Sequence, residues 1–346
     1  MAPQPITIVG GGIAGLTLGI GLRQMGVPVA IYEAGTYPRH RVCGEFISGE
    51  GLATLTRLGL RDLLNSAGAV KATTAAFFSA SQATAPYLLP APALCLSRFA
   101  LDAVLADRFR ELGGDLRVLQ RAATNQPAEG WVLANGRRAE TQSGTQRWFG
   151  LKIHAREVAL TADLEMHFSP HGYVGLCHLG GGETNVCGLY RKSGPPGYAL
   201  PNWRALLMGE PGSLLNGRLA PAKLERASFC SVAGISLQPK RATARREMVV
   251  GDAMTMIPPL TGNGMSMAFE SAERAIIPLT AWSRKEVKWE EARRTLAKTS
   301  DAVFTRRLAW AQWLQRLVLM PALQNPLVNL AGGSDWFRRM AFAHTR

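Results

Sequence analysis

The sequence lacks paired cysteines and long apolar runs. Its five cysteines form no Cys-x-x-Cys pair and no zinc-ligand spacing, and their odd number is typical of a reducing compartment. No apolar run approaches the length of a membrane span. The strand that begins at residue 6 leaves no room for a signal peptide. These absences predict a cytoplasmic protein that is stabilised by its own core.

Acidic residues are also scarce. The chain of 346 residues has 25 acidic and 39 basic side chains, which gives a net charge of +14. The basic residues are dispersed and no nucleic-acid-binding motif accompanies them, so nucleic acid is excluded as a partner. Two interpretations remain: a solvated basic surface, or attraction to anions such as a nucleotide cofactor, an acyl-carrier partner or an anionic membrane.

The signatures of several catalytic classes are missing. The chain contains no Gly-x-Ser-x-Gly nucleophile elbow and no phosphate-binding P-loop. His167 and His171 have the i, i+4 spacing of a helical metal site, but Pro170 lies between them and is incompatible with that helix. We therefore predict no metal site.

Three regions differ in their pattern of apolar residues. Strand-like and helix-like segments alternate over residues 1–147 and return over 241–285, which predicts a discontinuous Rossmann-like domain. Alternating apolar and polar residues over 148–240 predict an inserted antiparallel β-sheet domain that binds the substrate, with a Gly/Pro loop at 193–201. Residues 286–346 are predicted to form a C-terminal helical tail. The fold class is therefore α/β.

The first strand is followed by a dinucleotide-binding fingerprint. In Gly10-x-Gly12-x-x-Gly15, the first glycine permits a tight turn, the second lets backbone amides approach a pyrophosphate, and the third lets the helix pack on the strand. Glu33 ends the second strand, where an acid hydrogen-bonds a ribose hydroxyl. The residues predicted to bind the dinucleotide here are Gly10, Gly12, Ile13, Ala14, Gly15 and Glu33.

A second segment, residues 251–264, indicates which dinucleotide is bound. A short apolar strand ends at Gly251-Asp252, and a proline turn then leads into a helix. An aspartate at this position can bind the hydroxyls of a ribityl chain. Amides at the helix start can face the pyrimidine edge of a flavin and stabilise negative charge on it. This lone strand–turn–helix, late in the chain, favours FAD over NAD.

Four segments together resemble the para-hydroxybenzoate hydroxylase superfamily of FAD-dependent oxidoreductases, and in particular its geranylgeranyl-reductase-like branch. They are residues 9–16, 38–46, 97–102 and 251–264. The resemblance implies that residues 1–147 and 241–285 bind FAD. It also implies roles for individual residues.

By that resemblance, Arg98 contacts the FAD, and Asp252 binds the ribityl chain. Arg41 and the Cys43-Gly44 pair lie beside the flavin and its linkage to the adenosine. The segment that borders the isoalloxazine consists of Pro259, Gly262, Asn263, Gly264 and Met265.

Two residues near the implied flavin have alternative interpretations. Cys43 is either a small buried residue beside a tight turn or a flavin-adjacent residue that shapes the reaction face. Glu45 is either a substrate-facing acid or a buried charge paired with Arg41, and we favour the pairing. Cys43, Glu45 and Pro259 are the flavin-adjacent candidates for a catalytic role, and no general acid or base is assigned.

The resemblance implies an FAD-dependent monooxygenase. NAD(P)H, binding transiently, would reduce the flavin, and the reduced flavin would activate O2 to oxidise an apolar small molecule of the kind found in secondary metabolism. Two departures are notable: Asn135-Gly136 replaces the Asp-Gly of the hydroxylases, and Tyr173 alone remains of the reductases' Tyr-x-Trp-x-Phe-Pro motif. The alternatives are a reductase of carbon–carbon double bonds and a flavin-binding protein without turnover.

The tail is rich in aromatic residues. Trp310, Trp313 and Leu317 are predicted to pack in a core. The alternative is an apolar lid or a weak contact with a membrane surface, assisted by arginines on the same segment. The sequence does not predict an oligomeric state.

Overall fold

A computed structural model gives the fold of residues 2–122, 128–137, 147–192 and 202–345. The Gly/Pro loop predicted at 193–201 lies outside these described residues. The strands are β1 Ile6–Val9, β2 Val29–Glu33, β3 Phe46–Ile47, β4 Val70–Phe78, β5 Tyr87–Cys95, β6 Asp115–Val118, β7 Trp131–Leu133, β8 Arg147–Arg156, β9 Leu164–Ser169, β10 Gly172–His178, β11 Glu183–Lys192, β12 Lys223–Ile235 and β13 Met248–Val249. The helices are α1 Ile13–Gln24, α2 Glu50–Arg57, α3 Arg61–Ser66, α4 Arg98–Glu111, α5 Trp203–Met208, α6 Leu214–Leu219, α7 Gly264–Ser283, α8 Trp289–Val318, α9 Pro321–Gly333 and α10 Asp335–Thr345.

The first sheet is parallel and follows the order β13-β7-β1-β2-β6. The central strands consist largely of apolar residues because helices cover the sheet. Ile6, Ile8 and Ile31 are fully buried. Helix α1 packs between α4 and α7 on this sheet. The late strand β13 joins this sheet beside β7.

The second sheet has eight strands in the order β12-β8-β11-β10-β9-β4-β5-β3. All its pairs are antiparallel except β4 with β9. Strands β3, β4 and β5 precede residue 148, so this sheet extends beyond the region in which alternation predicted it. Leu151 and Ile153 of β8 pack under α5 and α6, while Lys152 and His154 point to the opposite face, towards the first domain.

The C-terminal region is helical, as predicted, and packs against both domains. Phe304 and Leu308 of α8 are buried in a core shared with β7 and β13. The prediction that Trp313 packs in a core is wrong, because the residue is 47% exposed; its ring contacts Trp310, which in turn contacts His344. Within the described ranges, no helix combines the length and apolar character needed to cross a membrane.

Candidate functional site

The N-terminus of α1 is shaped by its glycines. Gly10 has a φ of +109°, and a Cβ there would lie 2.5 Å from the Ala134 carbonyl oxygen. A Cβ on Gly15 would lie 2.0 Å from the Gly10 carbonyl oxygen. By contrast, a Cβ on Gly12 would meet no protein atom within 4 Å. The two outer glycines therefore bring strand and helix together, while Gly12 keeps open space in front of the helix N-terminus, where a phosphate binds.

Glu33 lies at the end of β2, beside this glycine turn. Its carboxylate accepts hydrogen bonds from the amides of Gly11 and Gly35, both at 2.8 Å, and from Arg39 at 2.6 Å. Burial alone raises the pKa of Glu33, but Arg39 and the two amides outweigh it and lower the pKa to about 2. The carboxylate is therefore charged at neutral pH and is fixed at the position where a ribose hydroxyl is bound in dinucleotide folds.

Gly251 brings the turn of residues 251–264 against the glycine turn of residues 10–15. It has a φ of +62°, its amide donates to the Ser271 hydroxyl at 2.8 Å, and a Cβ there would lie 2.7 Å from that of Ala14. The turn is therefore packed against the first turn of α1. Asp252 follows and lines the cavity described below. Burial raises the pKa of Asp252, and the opposing charges of Arg98 and Arg137 only partly offset this effect.

The proline turn leads into α7 along the same wall. Pro259–Thr261 form a 3₁₀ turn, and Gly262 has a φ of +61° with its Cα against the Phe46 ring. Helix α7 then begins at Gly264. The side chains of Asn263 and Met265 are buried, at 1% and 5% exposure, so this segment offers a ligand the backbone amides of a helix N-terminus.

The Arg98 side chain is fixed by an ion pair within α4. Its Nε and Nη2 donate to both carboxylate oxygens of Asp102, at 2.7 and 2.8 Å. This pairing raises the pKa of Arg98 although burial opposes it. The guanidinium also faces Cys43 and Asp252. Arg98 therefore lies between two of the predicted flavin-site residues as a fixed positive charge.

The segment containing Arg41 and Cys43 lies next to Arg98 and the second sheet. Arg41 is exposed. The Cys43 thiol accepts a hydrogen bond from the Glu45 amide at 3.4 Å, and its carbonyl accepts one from Asn185 at 2.9 Å. Burial raises the pKa of the Cys43 thiol. Cys43 therefore presents a neutral thiol to the cavity and ties this segment to the second sheet through β11.

Glu45 is a buried charge, but the predicted pairing with Arg41 is wrong. Its carboxylate lies 3.3 Å from the Lys152 ammonium and 2.7 Å from His154 Nε2, and it accepts the Arg98 amide at 2.8 Å. Glu45 and Lys152 are both 0% exposed. The sequence analysis did not single out Lys152 and His154, because alternation along a strand predicts the strand but not which element packs against its polar face.

An apolar cavity of about 340 Å³ lies between the 259–262 turn and the second sheet. At one end it is lined by the predicted flavin-site residues Cys43, Gly44, Asp252, Pro259 and Gly262. The second sheet forms a side wall through residues such as Met166, Phe168, Tyr173 and Leu189. Helices α8, α9 and α10 form a further wall through Leu314, Val318, Leu327, Phe337, Arg338 and Phe342. The tail thus forms a wall of the cavity, but Trp310, Trp313 and Leu317, for which a lid was the alternative, are not among the lining residues.

The geometry of the first domain fits FAD. The open space at Gly12 and the fixed carboxylate of Glu33 suit a dinucleotide, and Gly251 packs the second turn against α1 beside them. Residues 4–148 match the FAD-binding domain family. This region is an FAD-binding domain. The implied FAD cofactor and the resemblance to FAD-dependent oxidoreductases are thereby confirmed.

Solved structures share the fold over nearly the whole chain. A flavoprotein/dehydrogenase from Cytophaga hutchinsonii aligns with a TM-score of 0.77 and 15% identity, covering 99% of this chain and 92% of its own. PqsL from Pseudomonas aeruginosa, in complex with 2-aminobenzoylacetate, aligns at 0.71 and 14%, covering 95% and 100%. A geranylgeranyl bacteriochlorophyll reductase-like protein from Thermoplasma acidophilum aligns at 0.73 and 19%, covering 99% and 96%. No curated protein matches the sequence significantly.

Replacing Asp252 with alanine should weaken FAD binding about 10- to 100-fold, since a hydrogen bond to a charged group contributes about 1.5–3 kcal/mol. Titration of the FAD-free protein with FAD measures this change. Asp107→Ala is the matched control, because Asp107 is 68% exposed on α4 and pairs with Arg110. Equal FAD affinity in the Asp252 variant and in the native protein would exclude the predicted ribityl contact.

Proposed function

We propose that this protein is an FAD-dependent monooxygenase that oxidises an apolar small molecule with NAD(P)H and O2. The observation that carries the proposal is the cavity, which runs from the predicted flavin wall at Pro259 and Gly262 into an apolar chamber. Its volume of about 340 Å³ lies at the lower end of the range for small-molecule sites. A compact, ring-sized substrate suits that space.

Bound FAD would supply electron transfer and the activation of O2, and the chain's own residues would control access and charge. The amides at the start of α7 would stabilise negative charge on a flavin bound beside them. The apolar wall would exclude water from the site. Burial raises the pKa of the Cys43 thiol, which would keep it uncharged next to a bound flavin. NAD(P)H would dock transiently from outside.

A second candidate, reduction of a carbon–carbon double bond, is favoured by Tyr173. This residue lines the cavity, is buried, and has a pKa well above its ordinary value because of burial. Its hydroxyl donates to the Gln315 side chain at 3.4 Å. A neutral phenol in this position could deliver a proton to a carbon centre while the flavin delivers hydride.

The two activities are distinguished by the reaction of the FAD-loaded protein with NADH or NADPH in air. We expect bleaching of the visible flavin absorbance, followed by its return and by peroxide release when no substrate is present. Reduction only by a low-potential donor, with little reactivity towards oxygen, would support the reductase. A protein that cannot be loaded with FAD would contradict both the monooxygenase and the reductase activity. Tyr173→Phe should impair a reductase and leave peroxide release unchanged.

A further inference from the structure

Gly175 leaves a gap in the wall that the second sheet presents to the cavity. Its partners in register are Cys187 on β11 and Met166 on β9, and Phe77 of β4 continues the same row. All four residues line the cavity. Because Gly175 has no side chain, the backbone of β10 itself forms the cavity wall at this point of the row.

The fold of the chain does not by itself explain a glycine at this position. A glycine inside a strand weakens the strand and commonly marks a β-bulge or a place where another backbone or a ligand approaches closely. A bulge is excluded, since β10 pairs with β9 and β11 around Gly175 without a shift in register. Among the described residues, the atoms nearest to a Cβ on Gly175 would be Met166 Cε at 3.7 Å and the Cys187 carbonyl oxygen at 3.8 Å, which are ordinary contact distances. The explanation that remains is a ligand.

Two other glycines of the same sheet are required by packing. A Cβ on Gly150 would lie 2.8 Å from Val42 Cγ1, and a Cβ on Gly188 would overlap with the Tyr190 side chain. Gly175 differs from both, because it has room for a side chain. In the Tyr-x-Trp-x-Phe-Pro motif of the reductases the residue two places after the tyrosine is tryptophan, and this chain has Gly175 there. The missing side chain therefore creates space in the cavity.

The gap at Gly175 is flanked by uncharged side chains. Met166 and Cys187 stand on its two sides, and burial raises the pKa of the Cys187 thiol well above its ordinary value, so the thiol is neutral. The next residue of the row, Lys152 of β8, is paired with Glu45 at 3.3 Å. Strands β9 and β11 lie two strand spacings apart, about 9 to 10 Å. This gap suits an uncharged group of about the width of a planar ring system.

We propose that Gly175 is a specificity-determining residue, which gives room to an uncharged substrate with at least two fused rings lying against the backbone of β10. The inference rests on the proposed function, because it takes this cavity as the substrate site. A fused ring system is rigid, so it loses little conformational freedom on binding. Its face gains dispersion contacts with the exposed strand backbone, and a side chain at position 175 would remove them.

The test measures binding of two uncharged probes to the FAD-loaded full-length protein by equilibrium dialysis. 2-Naphthol and 1-decanol have the same number of carbon atoms and one hydroxyl group each, but only 2-naphthol has fused rings. We expect the native protein to bind 2-naphthol. Gly175→Val should weaken 2-naphthol binding about 10- to 100-fold, because a rigid ring cannot adjust to an overpacked site. Binding of 1-decanol should change by less than about threefold, since a narrow, flexible chain can occupy the remaining space.

A second substitution should reverse the effect. Met166→Ala removes the side chain that faces position 175, so the double variant Gly175→Val with Met166→Ala should recover part of the 2-naphthol binding. Gly217→Val is the matched control, because Gly217 is exposed on α6 and a Cβ there meets no atom within 4 Å; it should leave both affinities unchanged. Gly175→Ala adds only a methyl group at ordinary contact distances. It provides the same test if Gly175→Val does not take up FAD, with an expected loss of about threefold for 2-naphthol alone.

Three results would overturn the proposal: a native protein that does not bind 2-naphthol, unchanged 2-naphthol binding in the Gly175 variants, or equal losses for both probes. Binding requires no turnover, so a failure to react with NAD(P)H and O2 would count against the proposed function and not against this result.

Discussion

Gly15→Ala is expected to lose both stability and FAD, whereas Gly12→Ala should lose FAD alone. A methyl group on Gly15 would lie 2.0 Å from the Gly10 carbonyl oxygen, so α1 must move away from β1. Overpacking costs about 1–3 kcal/mol even where side chains can adjust, and here the obstacle is backbone. At Gly12 the same methyl group meets no protein atom and would occupy only the space of the pyrophosphate.

Thermal unfolding of the FAD-free proteins and FAD titration measure the two effects separately. Gly217→Ala is the control: it lies in α6, far from this turn, and its methyl group also meets no atom within 4 Å. We expect its FAD affinity to match that of the native protein. If Gly12→Ala retained FAD normally, the phosphates would have to bind elsewhere, and the assignment of the glycine turn would fail.

Glu45→Gln is expected to destabilise the protein by about 3–5 kcal/mol, because it removes the carboxylate that compensates a buried ammonium. Lys152 is 0% exposed and would be left without its acidic partner. The double variant Glu45→Gln with Lys152→Met should recover much of the loss, since the uncompensated charge is then gone. Denaturant unfolding measures all three proteins under the same conditions.

The destabilisation should depend on pH. Burial raises the pKa of Glu45, but the hydrogen bond from His154 and the charge of Lys152 outweigh it, and the net shift is downward from 4.5. Its contribution to stability is therefore complete above about pH 4.5 and is lost as the pH falls through the lowered value. The difference between Glu45→Gln and the native protein should shrink over that acidic range.

Glu183→Gln provides the comparison for this cluster. Glu183 also faces His154, at 3.5 Å, but it is 27% exposed and pairs with Arg156 near the surface. We expect a loss of no more than about 1 kcal/mol. If Glu45→Gln were as stable as Glu183→Gln, the buried Glu45–Lys152 pair would not be the interaction that joins the two domains.

Local patterns were sufficient to predict the first domain. The glycines at 10, 12 and 15 each have a role that depends on neighbours only a few residues away, and Glu33 follows at the end of the next strand. The turn at 251–264 could be predicted for the same reason. The alternation over β8 to β11 predicted strands correctly, since the period of two is a property of the chain itself.

Contacts between distant segments could not be predicted in this way. Strands β3 to β5 join the second sheet through pairing with β9, which lies some ninety residues later. Trp313 and Glu45 were misjudged because exposure and charge pairing depend on which element packs opposite. The tail residues that line the cavity carried no motif, because only the packing of α8 to α10 brings them to its wall.

The sequence by itself determined the cofactor, because phosphate binding at a helix N-terminus needs glycines at short, regular spacings. Such spacings can be recognised in the sequence alone. Tertiary structure decided the rest of the site: which charges meet across the domain junction at Glu45 and Lys152, and which residues of the tail line the cavity. Such contacts join side chains that are more than a hundred residues apart. Their energies come from burial and mutual distance, which no local pattern of residues encodes.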